Sequence, residues 1–251
     1  MDKGQKTKLL AYSCSVITIL TAWTVLSAVI KAELILPSPV TVLNDIIKLL
    51  KTGKFWWAFM FTFFRVVISF GISIACGFIC GYFCSESPFF RNFMELPLTV
   101  IKSTPVIAVI LITLFWFTSD WVPVFAGVLM SFPVITDAVT AGFNNKDEKM
   151  YVMAQCYNFS RLDFFKYIKL PACRPYFIAG TDTAFGLSWK VIAAAEVLCL
   201  PKKAVGSLMQ TAQVHLETSR VVALTVMLVL VSFIIKNLFR LIFCRRNNGK
   251  K

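Results

Sequence analysis

Six long apolar stretches alternate with short polar segments along the chain, and this pattern predicts six membrane-spanning helices. A helix needs roughly 20 apolar residues to cross about 30 Å of hydrocarbon. Barrel strands would instead show alternation over about ten residues, which these continuous runs lack. The predicted spans are residues 9–30, 55–83, 96–117, 121–143, 176–198 and 221–243. The predicted fold class is an all-α integral membrane protein, with residues 1–251 forming a single transmembrane domain.

The first apolar run follows three lysines and so resembles the start of a signal peptide. The apolar core of such a peptide is only about 7–15 residues long and is followed by a small-residue cleavage site. Residues 9–30 are longer and no such site follows, so we expect a retained anchor helix.

The distribution of basic residues predicts the orientation. With the N-terminus inside, 16 of the 26 Lys and Arg fall in cytoplasmic segments and seven in external ones. Cytoplasmic loops of membrane proteins carry the excess of positive charge. Both termini are therefore predicted to lie in the cytoplasm, and residues 144–175 form the longest internal loop.

The amino-acid composition excludes several other classes of protein. The chain is 57% hydrophobic and only 16% charged, with a formal net charge of +13. A disordered tail or a nucleic-acid arm is poor in large apolar residues. Eight cysteines in 251 residues do not make a dense disulfide framework. The positive charge is therefore an orientation signal that also suits anionic lipid headgroups, and no nucleic-acid partner is predicted.

The internal loop contains the most informative segment, residues 150–171. Two short helices are predicted there, joined near Asn158, since Asn tolerates the left-handed backbone better than other non-Gly residues. Ser160 is placed to cap the second helix, with Asp163 three residues on. That helix is predicted to carry an apolar face, formed by Leu162, Phe165 and Ile168, and to end at Pro171. Such a surface suits docking into a partner; an ordinary amphipathic loop is the alternative.

This segment resembles the cytoplasmic signature of ABC-importer permeases, written E-A-A, three residues, G, nine residues, I-x-L-P. The matching residues are Ala154, Ile168, Leu170 and Pro171. Val152 stands where the acidic residue usually lies, Met153 replaces the first alanine and Asn158 replaces the glycine. The spacing is intact, but loss of the acid puts a charged contact to the ATPase at that point in doubt.

Further segments resemble the nitrate/sulfonate/taurine branch of these permeases, in the same order along the chain. They are Leu36-Pro37-Ser38-Pro39, Arg65-Val66-Val67-Ile68-Ser69-Phe70-Gly71, Ser103-Thr104-Pro105, Gly186-Leu187-Ser188-Trp189 and Ala194-Ala195-Glu196. The resemblance covers roughly residues 35–245. It implies the type I importer fold and a multi-pass location in the bacterial plasma (inner) membrane.

The resemblance also implies partner proteins, with transport and ATP hydrolysis on different subunits. Two permease copies, here expected to be a homodimer, form the pathway; two ATPase subunits bind on the cytoplasmic side, and an extracytoplasmic binding protein delivers substrate. The residues expected to couple to the ATPase are Ala154, Tyr157, Asn158, Phe159, Ser160, Arg161, Ile168, Leu170 and Pro171. The chain contains no G-x-x-x-x-G-K-[ST] motif. It is therefore predicted to be no enzyme and to bind no cofactor, with ATP and Mg on the partner ATPase.

Polar residues inside the spans are candidates for the translocation pathway, because charges in a bilayer are costly. The candidates are Ser103, Thr104, Asp182, Trp189, Lys190 and Glu196. Asp182, Trp189 and Glu196 recur every seven residues and so share a helix face. We predict that Trp189 and Lys190 face the cavity and that Lys190 attracts an anion. Alternatively, Lys190 pairs with a carboxylate or extends toward the membrane surface. Extension toward the surface is also the expectation for Lys102.

No catalytic or metal site is predicted. Cys76, Cys80 and Cys84 line up at helical spacing, but Gly77 and Gly81 beside them favour close helix packing over a soft-metal site. The single histidine, His215, has no cluster around it in the sequence.

The predicted function is a permease for a small anionic solute of the sulfonate, taurine or nitrate type. A pyrimidine or thiamine-precursor substrate is the alternative, since Trp189 is able to stack on a ring. A membrane enzyme or a scaffold protein is a more distant alternative.

Overall fold

The computed structural model describes residues 3–145 and 148–245, and all regular structure within them is helical. In chain order the helices are α1 Lys3–Ile30, α2 Pro39–Leu50, α3 Gly53–Glu86, α4 Pro88–Ser103, α5 Val106–Thr113, α6 Val122–Asn144, α7 Glu148–Cys156, α8 Arg161–Phe164, a π-helical turn Phe165–Lys169, α9 Leu170–Cys199, α10 Val205–Val214 and α11 Thr218–Arg245. The predicted all-α class is confirmed.

Several of these helices are long and apolar enough to cross a membrane. Four qualify within the described residues: Leu10–Ile30, Gly53–Glu86, Val122–Asn144 and Thr218–Asn237. Helices α4 and α5 qualify together as a fifth, bent by 95°. The count of six spans and the side of the termini stay predictions.

The predicted span 96–117 is not one continuous helix, because the chain breaks at Pro105. Thr104 ends α4 in an extended conformation, with φ −74° and ψ 128°. The ring of a proline pushes the preceding residue out of the helical region, and the proline itself supplies no N–H. A kink at Pro105 was expected, but the outcome is a sharp turn between two separate helices.

The predicted helix end at Pro171 is also wrong, since the helical run continues from Arg161 through Cys199. The π turn precedes the proline, and the Leu170 N–H bonds the Phe165 carbonyl five residues back. Its wider winding allows the helix to pass a residue that has no N–H, and Pro171 then occupies the first turn of α9.

The contacts divide the chain into two compact units, one formed by Met1–Ala58 with Leu208–Val231 and the other by Phe59–Ser207 with Ser232–Lys251. In the first unit, Ser38 caps α2, accepting the Thr41 N–H at 3.2 Å, with Pro39 at the first helical position. Proline is favoured at this position, where its missing N–H would have no partner in the helix. The Trp23 indole N–H donates to the Pro37 carbonyl at 3.1 Å, which ties α1 to the segment before α2.

In the second unit, α6 and α9 pack extensively against each other. Small residues allow this approach: a Cβ on Gly180 would lie 2.3 Å from the Ala138 Cβ. The Ser131 and Ser188 hydroxyls, both buried, lie 2.6 Å apart across the same interface. Polar contacts between small side chains and close backbone approach are what hold helices together in lipid.

Helix α3 packs on α6 in the same way. A Cβ on Gly77 would lie 2.8 Å from the Ile135 side chain, and one on Gly81 would lie 2.7 Å from the Val139 Cβ and 2.8 Å from the Thr136 carbonyl oxygen. The close packing predicted from the small residues of this segment is therefore confirmed.

We predict that Gly81→Ala destabilises the protein, because the added methyl group meets backbone that cannot move aside without separating the helices. Overpacking of this kind costs about 1–3 kcal/mol. The matched control is Gly71→Ala on the same helix, where a Cβ would meet nothing within 4 Å. The measurement is the thermal unfolding midpoint in detergent; equal midpoints for the two variants would contradict the packing described here.

Candidate functional site

The segment between α7 and α8 forms a rigid elbow. Asn158 lies in the left-handed region with φ 50°, and the Phe159 N–H bonds the Ala154 carbonyl at 3.0 Å. The Ser160 hydroxyl accepts the Asp163 N–H at 3.1 Å and donates to the Asp163 carboxylate at 2.6 Å. The predicted joint at Asn158 and cap at Ser160 are both present. The turn is therefore fixed by its own hydrogen bonds.

The side chains of the elbow point mostly to solvent. Ala154 is buried, at 4% exposure, while Tyr157 is 75% exposed. Asn158, Phe159, Ser160 and Arg161 are also exposed. Six of the nine expected coupling residues, from Ala154 to Arg161, are thus grouped around one turn.

The predicted apolar face of the second helix is only partly correct. Phe165 packs against the Tyr82 and Phe143 rings at centroid distances of 5.6 and 5.9 Å, and Ile168 is half-buried. Leu162, however, is 81% exposed. It lies in the first turn beside the elbow, whereas the packed residues belong to the π turn, so the two sets do not form one buried stripe.

Ile168, Leu170 and Pro171 lie where the π turn joins α9. Leu170 and Pro171 border a cavity of about 310 Å³ that is also lined by Phe78 and Phe177. Lys169 forms an ion pair with Glu86 at the end of α3. The junction is therefore held to α3 by a charge pair as well as by packing.

The shared face of Asp182, Trp189 and Glu196 points into the protein, which corrects the prediction that it lines a cavity. Trp189 is 4% exposed and lies among Phe59, Phe63 and Phe185, with centroid distances of 6.3–6.5 Å. Asp182 pairs with Lys236 at 3.2 Å. The heptad spacing identified a common face correctly, but that face is the packed one.

Glu196 is fully buried and is the centre of a polar network that the sequence did not predict. One carboxylate oxygen accepts from Arg65 at 2.9 Å, and the other accepts from Thr62 at 2.9 Å and from the Gly206 N–H at 3.2 Å. A Cβ on Gly206 would lie 2.5 Å from the Glu196 Cβ, so glycine is required for the start of α10 to come this close. Backbone N–H groups at a helix start favour a carboxylate.

Arg65 connects this carboxylate to two further segments. Its guanidinium donates to the Lys203 carbonyl at 2.9 Å and to the Asp120 carboxylate at 2.7 Å. One side chain of α3 therefore fixes the turn before α6, the end of α9 and the segment before α10. The available signal was a lone Arg in one apolar span and a lone Glu in another, since charges in membrane helices usually pair.

The opposite face of α9 is exposed. From Tyr176 onward its exposed positions recur every three, four or seven residues and are Tyr176, Ala179, Thr183, Lys190, Ala194 and Leu198. Gly186 lies on the same side, and a Cβ there would meet nothing within 4 Å. We call this set, with Gly186, the α9 stripe. Lys190 lies within it and has no carboxylate within ion-pair distance among the described residues. The alternative in which Lys190 pairs with a carboxylate is therefore not found among the described residues.

Ser103 and Thr104 lie at the break between α4 and α5. Both hydroxyls donate to the Val100 carbonyl, at 3.1 and 2.7 Å, so they complete the end of α4. Lys102 beside them pairs with Asp137 of α6 at 2.5 Å instead of extending alone toward the membrane surface as expected. The structure thus separates the six pathway candidates into a packed group, an exposed lysine and a helix end.

We predict that Arg65→Met destabilises the protein strongly, because it leaves the Glu196 carboxylate buried without its counter-ion. Removing one partner of a buried ion pair costs about 3–5 kcal/mol. Arg65→Met combined with Glu196→Gln should recover part of this loss, because the isolated charge is gone. The control is Lys102→Met, which breaks the exposed ion pair between Lys102 and Asp137. Unfolding midpoints in detergent report the effect; similar losses for Arg65→Met and Lys102→Met would contradict a special role for the network.

Comparison with known proteins agrees with this architecture. The family described as "Binding-protein-dependent transport system inner membrane component" matches residues 73–247. The Escherichia coli (strain K12) protein named "Putative aliphatic sulfonates transport permease protein SsuC" is 27% identical over 190 residues, covering 75% of this chain and 72% of that protein. The taurine transport system permease protein TauC of the same organism is 22% identical over 223 residues, covering 85% and 80%. The nitrate import permease protein NrtB of Leptolyngbya laminosa is 39% identical over 66 residues, covering 26% and 23%.

The family match covers well over half of the chain, and it excludes the membrane-enzyme and scaffold alternatives. Together with the apolar helices of the fold, it makes the protein a multi-pass component of the inner membrane. The chain belongs to the inner-membrane permease components of binding-protein-dependent transport systems, as a type I ABC-importer permease of the nitrate/sulfonate/taurine branch.

Proposed function

We propose that this permease forms, as a homodimer, the pathway for ATP-driven import of a small organic or inorganic anion of the sulfonate, taurine or nitrate type. The observation that carries the proposal is the α9 stripe. It is an exposed helix face made largely of small residues, with one unpaired lysine among its members. A lysine facing lipid costs about 2.5–3.5 kcal/mol on insertion scales, whereas one facing a wet pathway does not.

In the proposed topology the chain crosses the membrane six times, and α9 is the sixth span, beside the four apolar helices and the bent pair named above. Its 30 residues extend about 45 Å at 1.5 Å each, more than the hydrocarbon thickness. Two of its charged residues are neutralised within the protein, Asp182 by Lys236 and Glu196 by Arg65. The bent pair of α4 and α5 is taken as one further span.

Both termini are proposed to be cytoplasmic. The excess of Lys and Arg in the segments assigned to the cytoplasm supports this orientation. Exposed tryptophans mark helix ends at a membrane–water boundary on either side, and so they support the proposed ends of the spans. Trp56 and Trp57 lie at the start of α3, and Trp116 and Trp121 lie between α5 and α6, two places that this topology assigns to the external side.

The proposed cargo class rests on charge. The relatives named above are permeases for sulfonates, taurine and nitrate, and these substrates all carry a negative group. Lys190 supplies the matching positive charge on the α9 stripe. The pyrimidine alternative depended on Trp189 stacking on a ring, and the burial of Trp189 among three phenylalanines weighs against it. Selection among anions is assigned to the extracytoplasmic binding protein.

We propose that ATP hydrolysis is coupled to transport at the elbow. Two ATPase subunits carry ATP and Mg, and each contacts one elbow around Tyr157–Arg161. The exposed side chains and the hydrogen-bonded turn support a docking role, because a preformed surface loses little entropy on binding. Closure of the ATPase dimer displaces the elbow, and α9 follows because it is continuous with α8 through the π turn.

We predict that Lys190→Met abolishes or strongly reduces uptake while assembly of the transporter is unchanged. The variant removes the positive charge from an exposed position, so folding should be little affected. Lys190→Arg, which keeps the charge, is the control. The measurement is uptake of labelled alkanesulfonate or taurine into cells or proteoliposomes. Normal uptake by Lys190→Met would contradict the proposed role, and a binding protein that is stabilised by pyrimidines but by no anion would contradict the cargo class.

We also predict that replacing residues 157–161 by a Gly/Ser linker of equal length prevents the permease from retaining its ATPase. The replacement removes the exposed side chains and the Asn158 turn. Co-purification on a tagged permease measures the retention. An equal-length replacement in the segment 31–35 is the control, since the proposed topology assigns it to the opposite side of the membrane. Undiminished retention by the 157–161 variant would contradict coupling at the elbow.

A further inference from the structure

The elbow exposes a set of large apolar side chains that the pathway does not use. They lie on α7, on the turn and at the start of α8, and we call them the elbow patch: Met150, Val152, Met153, Tyr157, Phe159 and Leu162. Their exposed fractions range from 39% for Phe159 to 81% for Leu162. Arg161 is the single charged residue between positions 150 and 162 of the sequence. A nearly uncharged surface is thus presented on a preformed turn.

The elbow patch lies in a segment that the proposed topology assigns to the aqueous side of the membrane. Arg161, Lys166, Lys169 and Arg174 follow it closely, as expected next to the cytoplasmic face. Contiguous apolar surface in water is unfavourable, and in native proteins such a patch usually marks an interaction site.

The charges around the elbow patch narrow the kind of partner that fits it. Arg161 is exposed and has no carboxylate within ion-pair distance among the described residues. Lys166, also exposed, lies over the Tyr167 ring at 5.5 Å. The nearby acid, Asp163, is engaged by the Ser160 hydroxyl at 2.6 Å. The elbow therefore presents an apolar centre with a net positive charge on its α8 side, since Arg161 and Lys166 outnumber Asp163.

Val152 lies on α7 within this apolar centre and is 57% exposed. In the signature that the segment resembles, an acidic residue occupies that position. A carboxylate here would suit a basic contact, whereas a valine suits an apolar one. Between positions 150 and 162, the only charge that the elbow carries is therefore the positive charge of Arg161.

We propose that the elbow patch docks into a cleft of the cognate ATPase subunit that has an apolar floor and an acidic rim, with Val152 in the floor contact and Arg161 at the rim. This inference rests on the proposed coupling role of the elbow and specifies its chemistry. It implies that the contact between the permease and the ATPase is maintained mainly by apolar burial, so that the stability of the complex depends little on ionic strength. The rim pair contributes a minor, screened term.

We expect Val152→Glu to weaken retention of the ATPase by at least about tenfold, because a carboxylate would be buried against an apolar floor. Val152→Leu, which keeps the apolar surface, is the matched control and should retain the ATPase fully. Val152 is exposed in the permease itself, so neither variant should disturb its folding. The measurement is ATPase retained by tagged permease in lipid nanodiscs, washed at low and at high ionic strength.

Arg161→Gln tests the rim separately. We expect this variant to lose only the small part of the retention that high salt removes from the wild type, because the apolar floor contact is untouched. The elution profile of each solubilised variant verifies that the permease is intact.

The outcomes separate the two proposals. Retention by Val152→Glu equal to or greater than that of the wild type overturns the apolar floor, and so does loss of the wild-type complex at high ionic strength. If either occurs while the 157–161 replacement still abolishes retention, coupling at the elbow survives and only its chemistry is wrong. If the 157–161 replacement retains the ATPase, the coupling proposal itself fails.

Discussion

The cost of placing a charge among apolar helices determines much of this structure. Arg65 interrupts a long apolar helix and is compensated by Glu196 from α9, Asp120 from the turn before α6 and the Lys203 carbonyl. One guanidinium donates hydrogen bonds to three segments of the chain. The C-terminal end of α9 and the start of α10 are therefore fixed relative to α3. Thr62 and the N–H of Gly206 complete the shell of the carboxylate. A buried pair this fully hydrogen-bonded specifies one arrangement, since any other would leave a charge unpaired.

Close packing of α9 on α6 has a second consequence, for the opposite side of α9. Gly180 and Ser188 allow the two backbones to approach, and one side of α9 is thereby occupied entirely by α6 and its neighbours. The other side carries Ala179, Thr183, Gly186 and Ala194, which are too small to form an effective lipid-facing surface. Small residues and one lysine suit either a second copy or water. The proposed pathway at a dimer axis would supply both.

The parts of the fold that the sequence predicted are those decided by local chemistry. Asn158 tolerates the left-handed turn and Ser160 caps the next helix whatever surrounds them, so the elbow was predictable in detail. Pro105 was expected to bend its helix, but the 95° angle depends on how α5 packs against α6 and α9, which a single sequence does not encode visibly. Pro171 failed as a helix end because a π turn, set by tertiary packing of Phe165 on Tyr82 and Phe143, absorbs the missing N–H.

The same distinction explains the candidate pathway. Seven-residue spacing places Asp182, Trp189 and Glu196 on one face, but spacing does not say whether that face is packed or open. Polar residues in a span are equally expected in a pathway and in a buried ion pair. Only the partners decide, and Arg65, 131 residues from Glu196 in sequence, is such a partner. Lys190 differs because its position, one residue past the packed face, leaves it without a partner from a neighbouring helix.

The continuity of α8, the π turn and α9 joins the two ends of the proposed mechanism. From Arg161 to Cys199 the chain is one helical run, roughly 60 Å long at 1.5 Å per residue. A displacement at the elbow thus has a covalent path to Lys190 and onward to Glu196, where the Arg65 network holds the far end. The π turn, which accommodates Pro171, and Pro175 alter or remove backbone hydrogen bonds of this run, and these are the places where it bends most easily. Both lie on the elbow side of Tyr176, so we expect the segment that carries Lys190 to move as one stiff helix.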